Sequence, residues 1–486
     1  MLVLGCSEAD NGMPTTNIPP ASGATTTGTV AVAPAGQPIA IVQSELARRG
    51  PMPNDLPFDN PTGFAATVST AGAVDLTNEF FQDLGTNGRR CVSCHVPSAG
   101  WSITPAQVQQ VFESTRGGVL DDGVGLGAIF RTNDGANSPT ADVATLEARR
   151  RAYSQLLSKG LIRVGIGVPA DAEFELVAVD DPYGFASAQE LSLFRRPIPT
   201  TNLKFLSAVM WDGRETFAGQ TIHFDLADQS SGATTGHAQG NPLSEAQRES
   251  IVVFELGLHT AQVWDNEAQF LDDAGAQGGP DAIIDQAFYI GINDLFGDSQ
   301  TGRPFDPVVF DLYDTWATLP GPGVNEARRR VARGQVLFNT KPITITGVSG
   351  INDEPAFGSP AAVVGTCTTC HDSPNAGNHS VVAPLNIGLV DAARRTPDMP
   401  LYTLRNKTTG EVVQVTDPGR ALISGKWKHI GRFKGPILRV LAPRAPYFHN
   451  GLASDLRAVV DFYDDRFKIG LTEDEKRDLV AFLKTL

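Results

Sequence analysis

The stretch Cys91-Val92-Ser93-Cys94-His95 and its near repeat Cys367-Thr368-Thr369-Cys370-His371 decide how this sequence is interpreted. Both have the spacing C-x-x-C-H, which is the attachment site of a c-type haem. Two thiols at this spacing can form thioethers to the two vinyl groups of one porphyrin, and the histidine that follows can bind the iron. The motifs use four of the five cysteines. The sequence therefore predicts two covalently bound haem c groups, with His95 and His371 as iron ligands.

Two other classes of protein site also use a C-x-x-C pair, and each is an alternative to haem attachment. A zinc site would combine two pairs, but here the pairs lie far apart in the chain, and zinc does not explain the histidine after each one. A thioredoxin-like redox motif normally occurs once, after a strand. The repeated histidine therefore favours haem over both alternatives.

Composition limits the possible partners. The chain has 486 residues, of which 41% are hydrophobic, so two packed domains are expected. Its formal net charge of −15 argues against nucleic-acid binding. The acidic surface is either simply solvated or a docking face for a basic electron-donor protein.

The first residues, Met1-Leu2-Val3-Leu4-Gly5-Cys6, resemble the end of a bacterial lipoprotein signal without its charged region or full apolar stretch. We predict either a lipid anchor at Cys6 or a plain thiol there. Residues 7–60 are rich in Thr, Ala, Gly and Pro, which predicts a flexible tether with one short helix over 41–49. No apolar run is long enough to span a membrane. Haem c is attached outside the bacterial cytoplasm, so we expect the periplasm.

Helical periodicity predominates in the rest of the chain. Helices are predicted to start at 76–81 and to cover 144–159, 244–266, 328–337 and 472–486, with a strand over 174–179. The predicted fold class is mainly α, with two cytochrome c-like haem domains in tandem and large loop-rich insertions. The predicted domains are a signal-like start and tether (1–60), an N-terminal haem domain (61–266), an insertion (267–324) and a C-terminal haem domain (325–486).

Two further segments accompany the haem motifs. Met210-Trp211-Asp212-Gly213-Arg214 lies between them, and Ala445-Pro446-Tyr447-Phe448-His449-Asn450-Gly451 comes late in the chain. In this order the four segments resemble the bacterial dihaem cytochrome c peroxidase superfamily, which includes the maturation enzyme MauG. The resemblance covers roughly residues 75–100, 195–265 and 325–486.

The resemblance implies a role for each haem. The first would be the catalytic site and the second would pass electrons, with Trp211 coupling them; the alternative is that Trp211 is an ordinary packed aromatic residue. His449 would form a hydrogen bond near the haems rather than bind iron. The second haem's other ligand would be Tyr463, as in MauG-like enzymes; Met399 is the rival, and a solvent or histidine ligand is the remaining alternative.

The first haem site departs from the family. Gln229 can match the family's glutamine after W-D-G-R, but the segment where a distal glutamate is expected reads Gly236-His237-Ala238-Gln239. We expect His237 to transfer the proton and Gln239 only to form a hydrogen bond; the alternative for His237 is a structural or surface role. A distal histidine before Trp211 has no counterpart, and the family's calcium site matches poorly, so calcium binding is doubtful.

The expected function is reduction of hydrogen peroxide with electrons from a small redox protein, either a cytochrome c or a cupredoxin. Three alternatives stay open. The first is a MauG-like oxidase acting on a protein or organic substrate, the second is a dihaem oxygenase, and the third is an electron carrier without a substrate.

Overall fold

The computed structural model describes residues 51–486. Cys6, the helix expected over 41–49 and most of the predicted tether lie outside the described residues. Residues 51–60, at the end of that tether, contain two short strands. In the described part, no helix is both long enough and apolar enough to cross a bilayer.

Short helices and strands alternate along the chain. The α-helices are α1 (Pro105–Thr115), α2 (Leu146–Ala152), α3 (Ser154–Lys159), α4 (Ile222–Gly236), α5 (Glu245–Leu256), α6 (Asp281–Ile284), α7 (Val324–Thr340), α8 (Ala421–Ser424), α9 (Leu456–Phe467) and α10 (Glu473–Lys484). The strands are β1 (Met52–Pro53), β2 (Phe58–Asn60), β3 (Gly63–Ser69), β4 (Ala73–Val74), β5 (Ile162–Ile166), β6 (Phe174–Asp180), β7 (Leu191–Arg195), β8 (Leu258–Asp265), β9 (Gln269–Phe270), β10 (Ile343–Ile345), β11 (Val363–Gly365), β12 (Leu401–Asn406) and β13 (Val412–Val415).

The strands form several small antiparallel sheets. One has the order β2-β3-β8-β9 and another the order β13-β12-β6, and three pairs (β1-β4, β5-β7 and β10-β11) complete the set seen in residues 51–486. Helical residues make up 32% and strand residues 16%. The prediction of a mainly α fold is therefore wrong. The strands are short, and two of the pairings, β3 with β8 and β6 with β12, join segments far apart in the sequence, so local periodicity does not reveal them.

The sequence-based prediction differs most clearly from the structure over residues 244–266, which were predicted as one helix. The helix α5 ends at Leu256, and residues 258–265 form β8, which pairs with β3. Leu258 is buried in this sheet rather than on the apolar stripe of a helix. Most of β8 is buried on both faces, so it lacks the alternation that identifies a half-exposed strand.

Other local predictions agree better with the structure. The helix predicted over 328–337 lies within α7, and the strand predicted over 174–179 is β6. The region 144–159 forms two helices that break at Tyr153, and 76–81 contains only a 3-10 turn, Glu79–Phe81. The start of α10 has the expected capping box between Thr472 and Glu475.

The C-terminal core forms around α7 and α10. A Cβ atom at Gly334 of α7 would lie 2.0 Å from the carbonyl oxygen of Asp478, so only glycine permits this close approach. Phe338 and Phe482 join the two helices in one buried cluster. Residues 268–316, from the predicted insertion, supply Phe310, Tyr313, Trp316 and five more members of that cluster.

A shared sheet joins the two halves of the chain. The strand β6, from the N-terminal half, pairs antiparallel with β12 from the C-terminal half. Beside them, the hydroxyl of buried Tyr402 donates to the carbonyl oxygen of Ser192 at 2.7 Å and accepts from its N–H at 2.9 Å. The regions that carry the two C-x-x-C-H motifs are thus fixed relative to each other.

Candidate functional site

The first motif forms part of the wall of a cavity of about 160 Å³. A 3-10 turn over Cys91–Ser93 is closed by the side chain of Ser93, which accepts from the N–H of Arg90 at 3.1 Å. The N–H groups of Cys94 and His95 both donate to the carbonyl oxygen of Cys91, at 3.1 and 3.0 Å. This compact turn directs all three side chains of the motif into the cavity.

The second motif repeats this construction at a separate cavity of about 230 Å³. Thr369 accepts from the N–H of Thr366 at 2.9 Å, and the N–H of His371 donates to the carbonyl oxygen of Cys367 at 3.2 Å. Cys367, Cys370 and His371 all line this cavity.

Both motif histidines are oriented in the same way. The Nδ1 of His95 lies 3.2 Å from the carbonyl oxygen of Trp101, and the Nδ1 of His371 lies 2.6 Å from that of Gly377, six residues further on in each case. A carbonyl accepts, so Nδ1 carries the proton and Nε2 is left to bind a metal. Burial lowers the pKa of both imidazoles to about 4, which keeps them neutral as iron ligation requires. Paired thiols, a neutral imidazole and a largely apolar cavity fit a covalently attached haem at each motif.

The two cavities share part of their walls. Trp211, Arg196 and Lys434 line both of them. The indole N–H of Trp211 donates to the carbonyl oxygen of Arg196 at 2.8 Å, which fixes the ring at this position. The next residue, Asp212, is fully buried and paired with Arg195 at 2.5 Å. The W-D-G-R segment therefore presents its tryptophan between the cavities.

His449 lies in the wall of the second cavity, beside Trp211. Its ring stacks on Phe433 with centroids 3.9 Å apart, and the Trp211 ring is 6.2 Å away. Neither ring nitrogen has a hydrogen-bond partner within residues 51–486, although the residue is buried. Burial lowers the pKa of His449 to about 4. Buried polar atoms without partners are rare, so a group bound in this cavity is the natural partner.

Of the two proposed ligands for the second site, Tyr463 lines the cavity and Met399 does not. The phenol ring of Tyr463 lies among Phe448, Phe462 and Phe467. Burial, reinforced by the nearby Cys370 thiol, raises its pKa above the ordinary value, so the phenol is neutral when no cation is close.

The structure places some of the residues predicted for the first site in the wall of the first cavity and one of them outside it. His237 and Gln229 line the first cavity. The Nδ1 of His237 is held by Asp134, at 3.1 Å from its carbonyl oxygen and 3.3 Å from its carboxylate. Gln239 is exposed and does not line the cavity; only its backbone oxygen is engaged, by the hydroxyl of Thr86.

Sequence reasoning missed Glu255, a buried carboxyl group of α5 that lines the first cavity. Its Oε2 has no hydrogen-bond partner among the described residues, and burial raises its pKa to about 8. The signal was present in the sequence, because Glu255 lies four residues after buried Ile251 and next to Phe254, where an apolar residue is expected. A carboxyl group that stays protonated near neutral pH can donate a proton.

Known proteins match this chain in part. A search of protein-family models found no match. The cytochrome-c peroxidase IdrP1 of Pseudomonas sp. (strain SCT) is 31% identical over 140 residues, and IdrP2 of Denitromonas iodatirespirans is 32% identical over 132 residues. Each alignment covers 25% of this chain and 36% of the relative, so the chain spans about a third of the length of these curated relatives. Their names confirm the resemblance to cytochrome c peroxidases.

Solved structures are similar only at a low level. A MauG-like protein associated with microbial copper homeostasis aligns over 90% of this chain and 93% of its own, with a TM-score of 0.37 and 15% identity. The hydrazine synthase of Kuenenia stuttgartiensis aligns over 69% and 86%, with a TM-score of 0.28 and 13% identity. Neither similarity supports an argument about function.

Proposed function

We propose that this chain is a dihaem c-type peroxidase that reduces hydrogen peroxide with electrons from a small redox protein. The observation that carries the proposal is the pair of cavities, each with a C-x-x-C-H motif in its wall and both lined by Trp211. The partial relatives named cytochrome-c peroxidases support an oxidoreductase of this type. A cytochrome c or a cupredoxin is the proposed donor, and the periplasm is the proposed location, with either a lipid anchor or a plain thiol at Cys6.

The two cavities would divide the reaction. One peroxide consumes two electrons and two protons to give two waters. Haem iron, when bound, supplies the site at which peroxide coordinates and its O–O bond is cleaved. Electrons would enter at the cavity of His371 and pass by Trp211 to the cavity of His95.

The chain's own residues would handle the protons in the first cavity. Burial raises the pKa of Glu255 to about 8, so its carboxyl group is mostly protonated at neutral pH and can deliver a proton to the departing oxygen. His237 is oriented by Asp134 through its Nδ1, so its Nε2 is left to exchange protons. These two groups replace the distal glutamate that the sequence lacks at the family position.

A MauG-like oxidase is the second candidate, and Tyr463 favours it. No methionine lines the second cavity within the described part of the chain, whereas this phenol does. A phenolate ligand stabilises Fe(III) and lowers the haem potential, which suits withdrawal of electrons from an organic or protein substrate.

The test uses full-length protein matured in a bacterial periplasm. The mass and a haemochrome assay should report two haems per chain, and the resting ferric spectrum should contain a high-spin component. Adding peroxide with a reduced small cytochrome c should oxidise two equivalents of the cytochrome per peroxide. Spectral reactivity with peroxide but no cytochrome oxidation would favour the oxidase. Purely low-spin iron at both sites would reject both enzymes in favour of an electron carrier.

A further inference from the structure

Three cationic side chains, two of them buried and one half-buried, lie where the two cavities meet. Lys434 and Arg196 line both cavities, and Arg444 lines the second. Lys434 is 7% exposed and Arg196 is 5% exposed. The backbone N–H of Lys434 donates to the carbonyl oxygen of Trp211 at 2.9 Å, so the lysine is fixed beside the aromatic ring that the cavities share. We call these three side chains the cationic wall.

None of the three has a carboxylate partner within residues 51–486. The guanidinium of Arg196 donates instead to the carbonyl oxygens of Lys159, Ile103 and Arg444, at 2.8, 2.6 and 2.9 Å. Arg444 likewise donates to backbone carbonyls, including that of Val440 at 2.7 Å. Their formal charge is therefore not neutralised by any carboxylate of the described residues.

The neighbouring buried Arg195, by contrast, has carboxylate partners within the protein. Its guanidinium is paired with Asp212 at 2.5 Å and Asp417 at 2.7 Å, both buried. In contrast, burial and the adjacent Arg444 lower the pKa of Lys434 to about 7, and burial lowers that of Arg196 to about 9. An unpaired buried charge is strongly destabilising, so an anionic partner from outside the polypeptide accounts for these residues.

We propose that the cationic wall binds the propionate carboxylates of both haems, and that Lys434 contacts a carboxylate of each. This inference rests on the proposed function, because it requires both cavities to hold haem. The two propionates form the anionic edge of an otherwise apolar porphyrin. A cationic side chain in the wall shared by the two cavities is accessible to a porphyrin in either cavity. A single ammonium group between two haems raises the reduction potential of both, because positive charge favours the reduced iron.

The test is a redox titration of holoprotein variants, followed spectroscopically at each haem. In Lys434→Met both haem potentials should fall, and in Lys434→Arg both should return towards the wild-type values. In Arg444→Met only the potential of the second haem should fall. Lys426→Met is the matched control, because Lys426 is exposed and paired with Glu173; neither potential should move.

A Lys434→Met variant in which the potential of only one haem, or of neither, is shifted at full haem content would overturn the shared contact.

Haem content and peroxide turnover separate this failure from that of the proposed function. Wild-type protein with fewer than two haems defeats the proposed function and this inference with it. Two haems with unchanged Lys434→Met potentials defeat only the inference. Two haems with shifted potentials but no peroxide turnover support the inference alone. If Lys434→Met does not mature, Lys434→Gln is titrated in its place, and a fall in both potentials supports the shared contact whereas a fall in one or neither overturns it.

Discussion

The two cavities begin from the same motif and, outside the wall that they share, are lined by different residues. In both, a C-x-x-C-H turn holds a neutral histidine through a carbonyl six residues later. The first cavity adds titratable groups, among them His237 and Glu255, whereas the second adds a cluster of aromatic rings around Tyr463. The motif thus determines where a haem would attach, and the remaining wall determines whether the site suits proton-coupled chemistry or electron transfer.

The largest expected effect comes from deleting one motif at a time. Cys367→Ala/Cys370→Ala should reduce the haem content from two to one and abolish turnover with reduced cytochrome c, because the electron-entry site is lost. The remaining haem should still react once with peroxide. Cys91→Ala/Cys94→Ala should retain one haem and show no reaction with peroxide. Equal peroxide reactivity in the two double variants would contradict the assignment of different roles to the cavities.

The next effect concerns the proton donor of the first cavity. Glu255→Gln should lower the rate of peroxide cleavage by about 10²- to 10⁴-fold, the usual contribution of general acid catalysis. Since burial raises the pKa of Glu255 to about 8, the wild-type rate should fall as the pH rises through that value, when the proton is lost. The variant should lack this decline in a stopped-flow pH series.

Glu249→Gln is the control for that experiment, because Glu249 lies on the same helix and is exposed. His237→Gln tests the other candidate group. If the Glu255→Gln rate and pH profile equal those of the wild type while His237→Gln is inactive, the proton role belongs to His237 alone.

A smaller effect is expected where the cavities meet. Trp211→Phe should slow electron transfer from the second haem to the first severalfold, because the indole no longer bridges the two cavities. Reduction of the second haem by its donor should keep the wild-type rate. Trp427→Phe serves as the control, since this tryptophan lines neither of the two large cavities. Rapid-mixing spectroscopy separates the two steps, and equal inter-haem rates would reject Trp211 as the bridge.

The most local effect should be confined to the second cavity. Tyr463→Phe should change the visible spectrum of that haem and raise its potential by on the order of 0.1 V, because an anionic ligand that stabilises Fe(III) is lost. Tyr447→Phe is the control: Tyr447 lines the same cavity, but its hydroxyl donates to the carbonyl oxygen of Leu441. Identical spectra for the Tyr463→Phe variant and the wild type would exclude Tyr463 as a ligand.

Features coded by a few adjacent residues were predictable from the sequence. The C-x-x-C-H turns close on their own side chains and backbone, and the capping box of α10 needs only Thr472 and Glu475. The motif residues line the two cavities, and Tyr463 lines the second of them. Their roles in binding and catalysis stay predictions.

Features that depend on distant partners were not predictable. Lys434 gains its significance only from the two cavities, which are built by separate parts of the chain. The mainly α prediction failed for the same reason, since β8 is recognisable as a strand only beside β3, some 190 residues earlier.

The sheet formed by β6 and β12 has a practical consequence for dissecting this protein. Expressing either half alone would leave the partner strand with unpaired N–H and C=O groups, and such open edges promote aggregation. It would also strip Tyr402 of both of its backbone contacts. The halves are therefore not interchangeable modules, and single-haem forms should be made by point substitution in the intact chain rather than by truncation.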